Sequence, residues 1–172
     1  DEPGPFKKIW TGTFFALATL QSAYLGECGA LTNEWCAAYK SAVTNGQPSA
    51  TERKLLRSVS PASVLSSIMA PTLLSQGQAD SLFPLNESSQ TAAVLKKNGV
   101  PISMIWHAAG HDGGADEKKY LQEQYSRWFD KYLVKQDIDF PLFQFTKTNG
   151  SISLQDSTAI PKSFTATRLP FE

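Results

Sequence analysis

Residues 71–80 read Pro71-Thr72-Leu73-Leu74-Ser75-Gln76-Gly77-Gln78-Ala79-Asp80, and residues 101–114 read Pro101-Ile102-Ser103-Met104-Ile105-Trp106-His107-Ala108-Ala109-Gly110-His111-Asp112-Gly113-Gly114. Each begins as a short apolar run behind a proline and ends in a glycine-bearing loop, the pattern of a buried strand. Between them Asn86 is the expected cap of a helix through Thr91, Ala92 and Leu95, with Lys96 and Lys97 in its last turn and Asn98-Gly99 as its stop. After them Leu121, Tyr125, Trp128, Phe129, Tyr132 and Leu133 recur on one face of a strong helix. Strand, helix, strand, helix predicts a parallel pair with a right-handed crossover, and the apolar strands predict helices over both sheet faces. Two strands are too few for a free-standing doubly wound sheet. Residues 60–137 therefore read as the closing half of a larger α/β core.

The flanks differ in texture. Residues 1–59 read as helical. Phe14, Leu17, Ala18 and the stretch 21–25 fall at helical spacing, and Thr32 or Asn33 can cap a helix that stops near Asn45-Gly46. Ser49 stands three residues before Glu52, a capping-box signature, ahead of Leu55, Leu56 and Val59. Pro61 suits the first turn of a short helix over 64–69. Residues 138–172 read as the start of an antiparallel β module. Asn149-Gly150 is a hairpin turn between Phe143-Gln144-Phe145 and Ile152-Ser153-Leu154, and Phe164-Thr165-Ala166-Thr167 is a third strand.

Composition narrows the function classes. The chain has 172 residues, with 16 Lys plus Arg against 16 Asp plus Glu. A net charge of zero gives no electrostatic reason to expect nucleic acid or an anionic membrane as partner. Hydrophobic residues at 41% and aromatics at 11% supply a packed core and argue against disorder. The apolar-leaning run from Phe14 to Leu20 is too short to span a bilayer, and the opening Asp1-Glu2-Pro3-Gly4 does not resemble a signal peptide. Cys28 and Cys36 enclose a short segment that a disulfide could close, and two buried free thiols are the alternative. His107 and His111 could offer a metal two nitrogens. However, Ala108, Ala109 and Gly110 between them read as loop and no HExxH pattern occurs, so neither metal nor cofactor is expected.

In an open parallel sheet, functional groups gather beyond the carboxyl ends of the strands. Asp80 follows the first strand and His111 the second, so neighbouring strands would bring both to one side. A carboxylate that accepts from one imidazole nitrogen fixes the tautomer and leaves proton transfer to the other. Each residue also has a bland reading, since an Asp after a strand is commonly a turn residue. Asp112 and Asp116 are rival acids. The first would need an awkward backbone to reach the ring beside it, and the second better caps the following helix. His107 reads as the end of a buried strand. Trp10, Phe14, Phe15, Tyr24, Trp35 and Tyr39 could line a substrate pocket but read mainly as core of the helical region.

The order Asp then His matches the last two members of an α/β-hydrolase triad, in which Ser precedes both. Ser60-Pro61, Ala70-Pro71-Thr72-Leu73-Leu74, Gln76 to Asp80, Leu82-Phe83-Pro84-Leu85, Gly99-Val100-Pro101 and Gly110-His111-Asp112-Gly113-Gly114 occur in succession. Together they resemble the X-prolyl dipeptidyl-peptidase and cocaine-esterase group of serine hydrolases. The resemblance is strongest over 60–133 and loosest after Phe145. It implies an α/β-hydrolase core, a helical cap over 1–59 of the type in secreted actinobacterial members, and a β jelly roll beginning after Asp137. It further implies catalytic roles for Asp80 and His111, an ester or peptide substrate, and export from the cell.

One departure stands out. The nucleophile of this fold sits in a G-x-S-x-G elbow, and none of the glycines here begins such a motif. The serine is therefore expected on an upstream part of the same polypeptide, and this chain is expected to be a piece that is inactive alone. A reading from another class is a non-enzymatic binding or assembly module that inherited the fold.

Overall fold

The computed structural model describes residues 7–20, 22–111 and 113–156. The expected strand at 164–167 lies outside them. The chain separates into two compact units, residues 1–64 and 65–172.

The first unit is helical. α1 runs Lys8–Thr19, α2 Ser22–Leu25, α3 Asn33–Asn45 and α4 Ala50–Ser58. Local chemistry sets these ends. The Thr32 side chain accepts the Trp35 N–H at the start of α3, and Gly46 ends it with φ 72°. Ser49 and Glu52 complete the reciprocal capping box of α4. Cys28 and Cys36 form a disulfide, which decides between the two readings of that pair. The aromatic set, by contrast, is not a core. Phe15 stacks on Tyr39 with ring centroids 3.8 Å apart, and Trp10 stacks on Phe14. Yet α1 buries none of its residues, and Phe14 and Tyr24 are exposed. Four short helices enclose too little volume to cover so many rings, and only Cys36 and Ala42 are buried on α3.

The second unit carries the sheet. β1 spans Thr72–Gly77, β2 Ile102–His107, β3 Phe143–Thr146 and β4 Ile152–Gln155, in spatial order β1-β2-β3-β4. β1 and β2 pair in parallel with Thr72 opposite Ile102 and Gly77 opposite His107. α5, Leu85–Lys97, follows β1, and α6, Lys118–Phe129, follows β2. α5 packs Ala92 and Leu95 against Ile102, Met104, Trp106 and Phe143 on one face. The Trp106 indole N–H donates to Ser88 Oγ at 3.0 Å inside that layer. α6 covers the other face, where the Tyr125 hydroxyl reaches Ser75 and the Tyr120 hydroxyl reaches buried Gln144. Burial pushes the Tyr120 hydroxyl up to about 12, so it stays a donor at any working pH.

Three details differ from the sequence reading. Pro84, not Asn86, stands at the head of α5, and Asn86 lies inside its first turn. Residues 61–63 and 65–67 form two separate 3₁₀ turns rather than one short helix. The expected hairpin of β3 and β4 is present, but β3 also pairs in parallel with β2, so residues 143–155 extend the α/β sheet. Phe143 explains this. It is fully buried against Trp106, centroids 5.0 Å apart, so the strand that carries it must join the core.

The disulfide closes a short loop and should constrain the unfolded first unit by about 2–3 kcal/mol. Reduction of native protein should therefore melt the helices of residues 8–58 at lower denaturant while leaving the sheet unit unchanged. Site-resolved hydrogen exchange measures this, and equal protection of α3 in oxidised and reduced protein would contradict it.

Candidate active site

Gly77 ends β1 and His107 ends β2, so the chain leaves both strands on the same side of the sheet. Gly77 has no room for a side chain, because a Cβ there would overlap the Ala109 carbonyl and the Gly110 Cα. Gly110 is constrained in turn, since a Cβ there would overlap the backbone of Ala79 and Asp80. The two loops thus lie backbone against backbone, with the Gln78 N–H donating to His107 O at 2.7 Å and the Ala79 N–H to Ala109 O at 3.2 Å. That contact brings the side chains of Asp80 and His111 together.

Asp80 Oδ2 stands 3.1 Å from His111 Nδ1. The Asp80 side chain is only 7% exposed while the imidazole is 47% exposed, so the carboxylate lies beneath a ring that solvent or substrate can reach. Oδ1 accepts the N–H groups of Leu82 and Phe83, each at 2.8 Å. The turn reading and the catalytic reading of Asp80 are therefore compatible, one oxygen serving each. Gln76, at the end of β1, donates from Nε2 to Asp80 Oδ2 at 3.1 Å and to Phe83 O at 2.8 Å. Phe83 sets its ring edge-on to the imidazole, centroids 5.6 Å apart. These groups, with Ser75, Gly77, His107 and Gly110, line a cavity of about 340 Å³.

Burial works to raise the Asp80 carboxyl. The Phe83 N–H, the His111 ring, the Leu82 N–H and the imidazole charge together outweigh it and hold the group below its ordinary value. His107 also lines the cavity, where burial lowers its imidazole against the opposing pull of Glu117 and Asp80. Asp116 turns to α6, where Oδ1 accepts the Lys118 N–H at 3.0 Å. Asp112 lies outside the described residues. Among the described residues no group of three or more His, Cys, Asp or Glu could hold a metal ion, and no helix is long and apolar enough to cross a membrane.

Gln76 and Phe83 were read only as parts of the motifs around Asp80, with no role in the site. The spacing of Gln76 four residues before Asp80 is common in any loop, and only the turn of the chain after Gly77 makes it meaningful.

Parallel strands between helical layers, with an acid and a histidine beyond consecutive carboxyl ends, are consistent with an α/β-hydrolase. The model of the prolyl oligopeptidase family matches residues 14–136, and the chain belongs to that family, whose members are serine hydrolases. No curated protein matches the chain.

Two outcomes test this geometry. Gly110→Ala should force the loops apart, at about 1–3 kcal/mol of stability, and the Asp80–His111 contact should vanish from NMR spectra of the variant; an intact contact would contradict the packing argument. Because the folded carboxyl of Asp80 is depressed, its contribution to stability is complete above its ordinary value of 3.8 and is lost as pH falls through the lower folded value. Acid unfolding of Asp80→Asn, compared with the parent chain, should lack that part of the pH dependence.

Proposed function

We propose that this chain supplies the acid and the base of a Ser-Asp-His triad in an exported serine hydrolase acting on esters or peptides. The observation that carries the reading is the Asp80 Oδ2 to His111 Nδ1 contact at 3.1 Å beyond the carboxyl ends of β1 and β2. Membership of a serine hydrolase family supports it. The finer likeness, to the X-prolyl dipeptidyl-peptidase and cocaine-esterase group, rests on the motifs from Ser60 to Gly114 and favours a peptide with proline near its amino end as substrate. The disulfide supports an oxidising compartment. Residues 1–59 serve in this reading as the cap, and the nucleophile comes from a preceding segment of the same polypeptide.

The chemistry follows from the geometry. Asp80 accepts the Nδ1–H and holds the tautomer in which Nε2 carries a lone pair. Nε2 removes the serine hydroxyl proton as Oγ attacks the acyl carbon. The imidazolium that forms is stabilised by the buried carboxylate and then protonates the departing alcohol or amine. Water repeats the sequence on the acyl-enzyme and restores the serine. A depressed carboxyl serves this role because Asp80 remains ionised while the ring gains and loses its proton.

Reaction of the complete gene product with a serine-directed fluorophosphonate probe tests the reading. One serine should be labelled, and it should lie in a G-x-S-x-G elbow before this chain. In that protein His111→Ala should abolish labelling, and Asp80→Asn should reduce turnover of an activated ester on the order of 10⁴-fold. The 172-residue chain alone should be inert. Turnover by the isolated chain would overturn the location of the nucleophile, and full activity of His111→Ala would overturn the triad.

A further inference from the structure

The His111 loop has a second anchor, at Ala108. α6 begins just after Glu117, and the Glu117 carboxylate turns back to the foot of the loop. Oε2 accepts the backbone N–H of Ala108, the first residue beyond β2. Both carboxylate oxygens also accept the Thr146 hydroxyl on β3, at 2.8 and 3.1 Å. Gln78 ties the same strands from the other loop, with Nε2 donating to Trp106 O at 2.9 Å and to Thr146 O at 2.8 Å. Between Ala108 and Glu117 the chain is folded on itself. Ala109 bridges Gly114, and the Gly110 N–H donates to Gly113 O at 2.6 Å. Gly114 has φ 97°, and a Cβ on it would overlap the Ala108 carbonyl. Displacement at Ala108 therefore has few ways to be absorbed before it reaches Gly110 and the ring of His111.

We infer that Glu117 is a positioning residue for the proposed reaction: by holding Ala108 to Thr146 it fixes the height at which His111 presents its imidazole over Asp80. The inference rests on the triad reading. Ionised carboxylate to backbone N–H bonds are among the stronger hydrogen bonds, and this one joins three elements, the end of β2, the start of α6 and β3. Its removal leaves the Ala108 N–H and the Thr146 hydroxyl without their acceptor, in a region where the neighbouring loop is already packed to backbone contact. A shift of about 1 Å in a catalytic group can cost on the order of 10²-fold in rate. The contacts of Glu117 to Ala108 and Thr146 carry its effect through the loop.

The test compares Glu117→Ala, Glu117→Gln and His111→Ala in the complete gene product. Glu117→Ala should lower kcat on an activated ester by about 10²-fold with KM little changed, since ring placement and not substrate contact is disturbed. Glu117→Gln keeps one acceptor oxygen for the Ala108 N–H and should recover most of kcat. In the 172-residue chain, Glu117→Ala should speed exchange of the Ala108 amide, weaken the His111 Nδ1–H resonance and leave the amides of β1 and α5 protected. Wild-type kcat in both Glu117 variants beside a dead His111→Ala would overturn the inference and leave the triad standing. Exchange accelerated equally throughout the unit would also overturn it, in favour of a general structural role. An active His111→Ala would remove the triad reading and this inference together.

Discussion

The close approach of two backbones beyond the strand ends is the constraint on which the second unit depends. Gly77 lies against Ala109 and Gly110, and Gly110 lies against Ala79 and Asp80, at separations that a side chain would not permit. Parallel pairing in register brings the strand ends level, but it does not by itself bring the loops into contact. The glycines do that. With no Cβ on either, the backbone of each loop can hydrogen-bond the other, and the side chains that follow are delivered to one point. An Asp and a His placed 31 positions apart in sequence meet because two positions without side chains meet first.

What the sequence disclosed follows the range of the forces involved. Caps and stops are local, and most were legible. Thr32, the Ser49–Glu52 box, Gly46 and Asn98-Gly99 act where their side chains and φ preferences predict. The two strands were legible because their apolar runs are continuous and bounded by Pro and Gly. The parallel pairing of β3 was not. A hairpin signal at Asn149-Gly150 says that β3 and β4 pair with each other, and it is silent on what the other edge of β3 meets. That edge is chosen by the burial of Phe143 against Trp106, a contact across the sheet with no local signature. Asn86 misled because a capping side chain counts only where the backbone turns, and Pro84 had already set that turn two residues earlier.

The site divides in the same way. Asp80 and His111 were visible because fold class says where to look, at the first polar residues beyond consecutive strands. The residues that hold them were not visible, because each reaches its partner through space rather than along the chain. Gln76 reads as one more polar residue at a strand end, and Glu117 as an acid near the start of a helix, where acids are common for dipole reasons alone. Only the structure shows that Gln76 shares Oδ2 of Asp80 with the imidazole and that Glu117 faces backward to Ala108.

The division of labour on Asp80 has a further consequence for how such a site can be built. A buried carboxylate used solely to orient a histidine would need other donors to offset its burial. Here the turn itself supplies them, through the N–H groups of Leu82 and Phe83 on Oδ1. The same turn sets Phe83 edge-on to the ring and offers its carbonyl to Gln76, which returns a hydrogen bond to Oδ2. Solvation of the acid, placement of the ring and closure of the loop are thus one arrangement of residues 76–83. The local turn preference of Asp, which made its catalytic reading ambiguous in the sequence, is the means by which the carboxylate stays ionised beneath the imidazole.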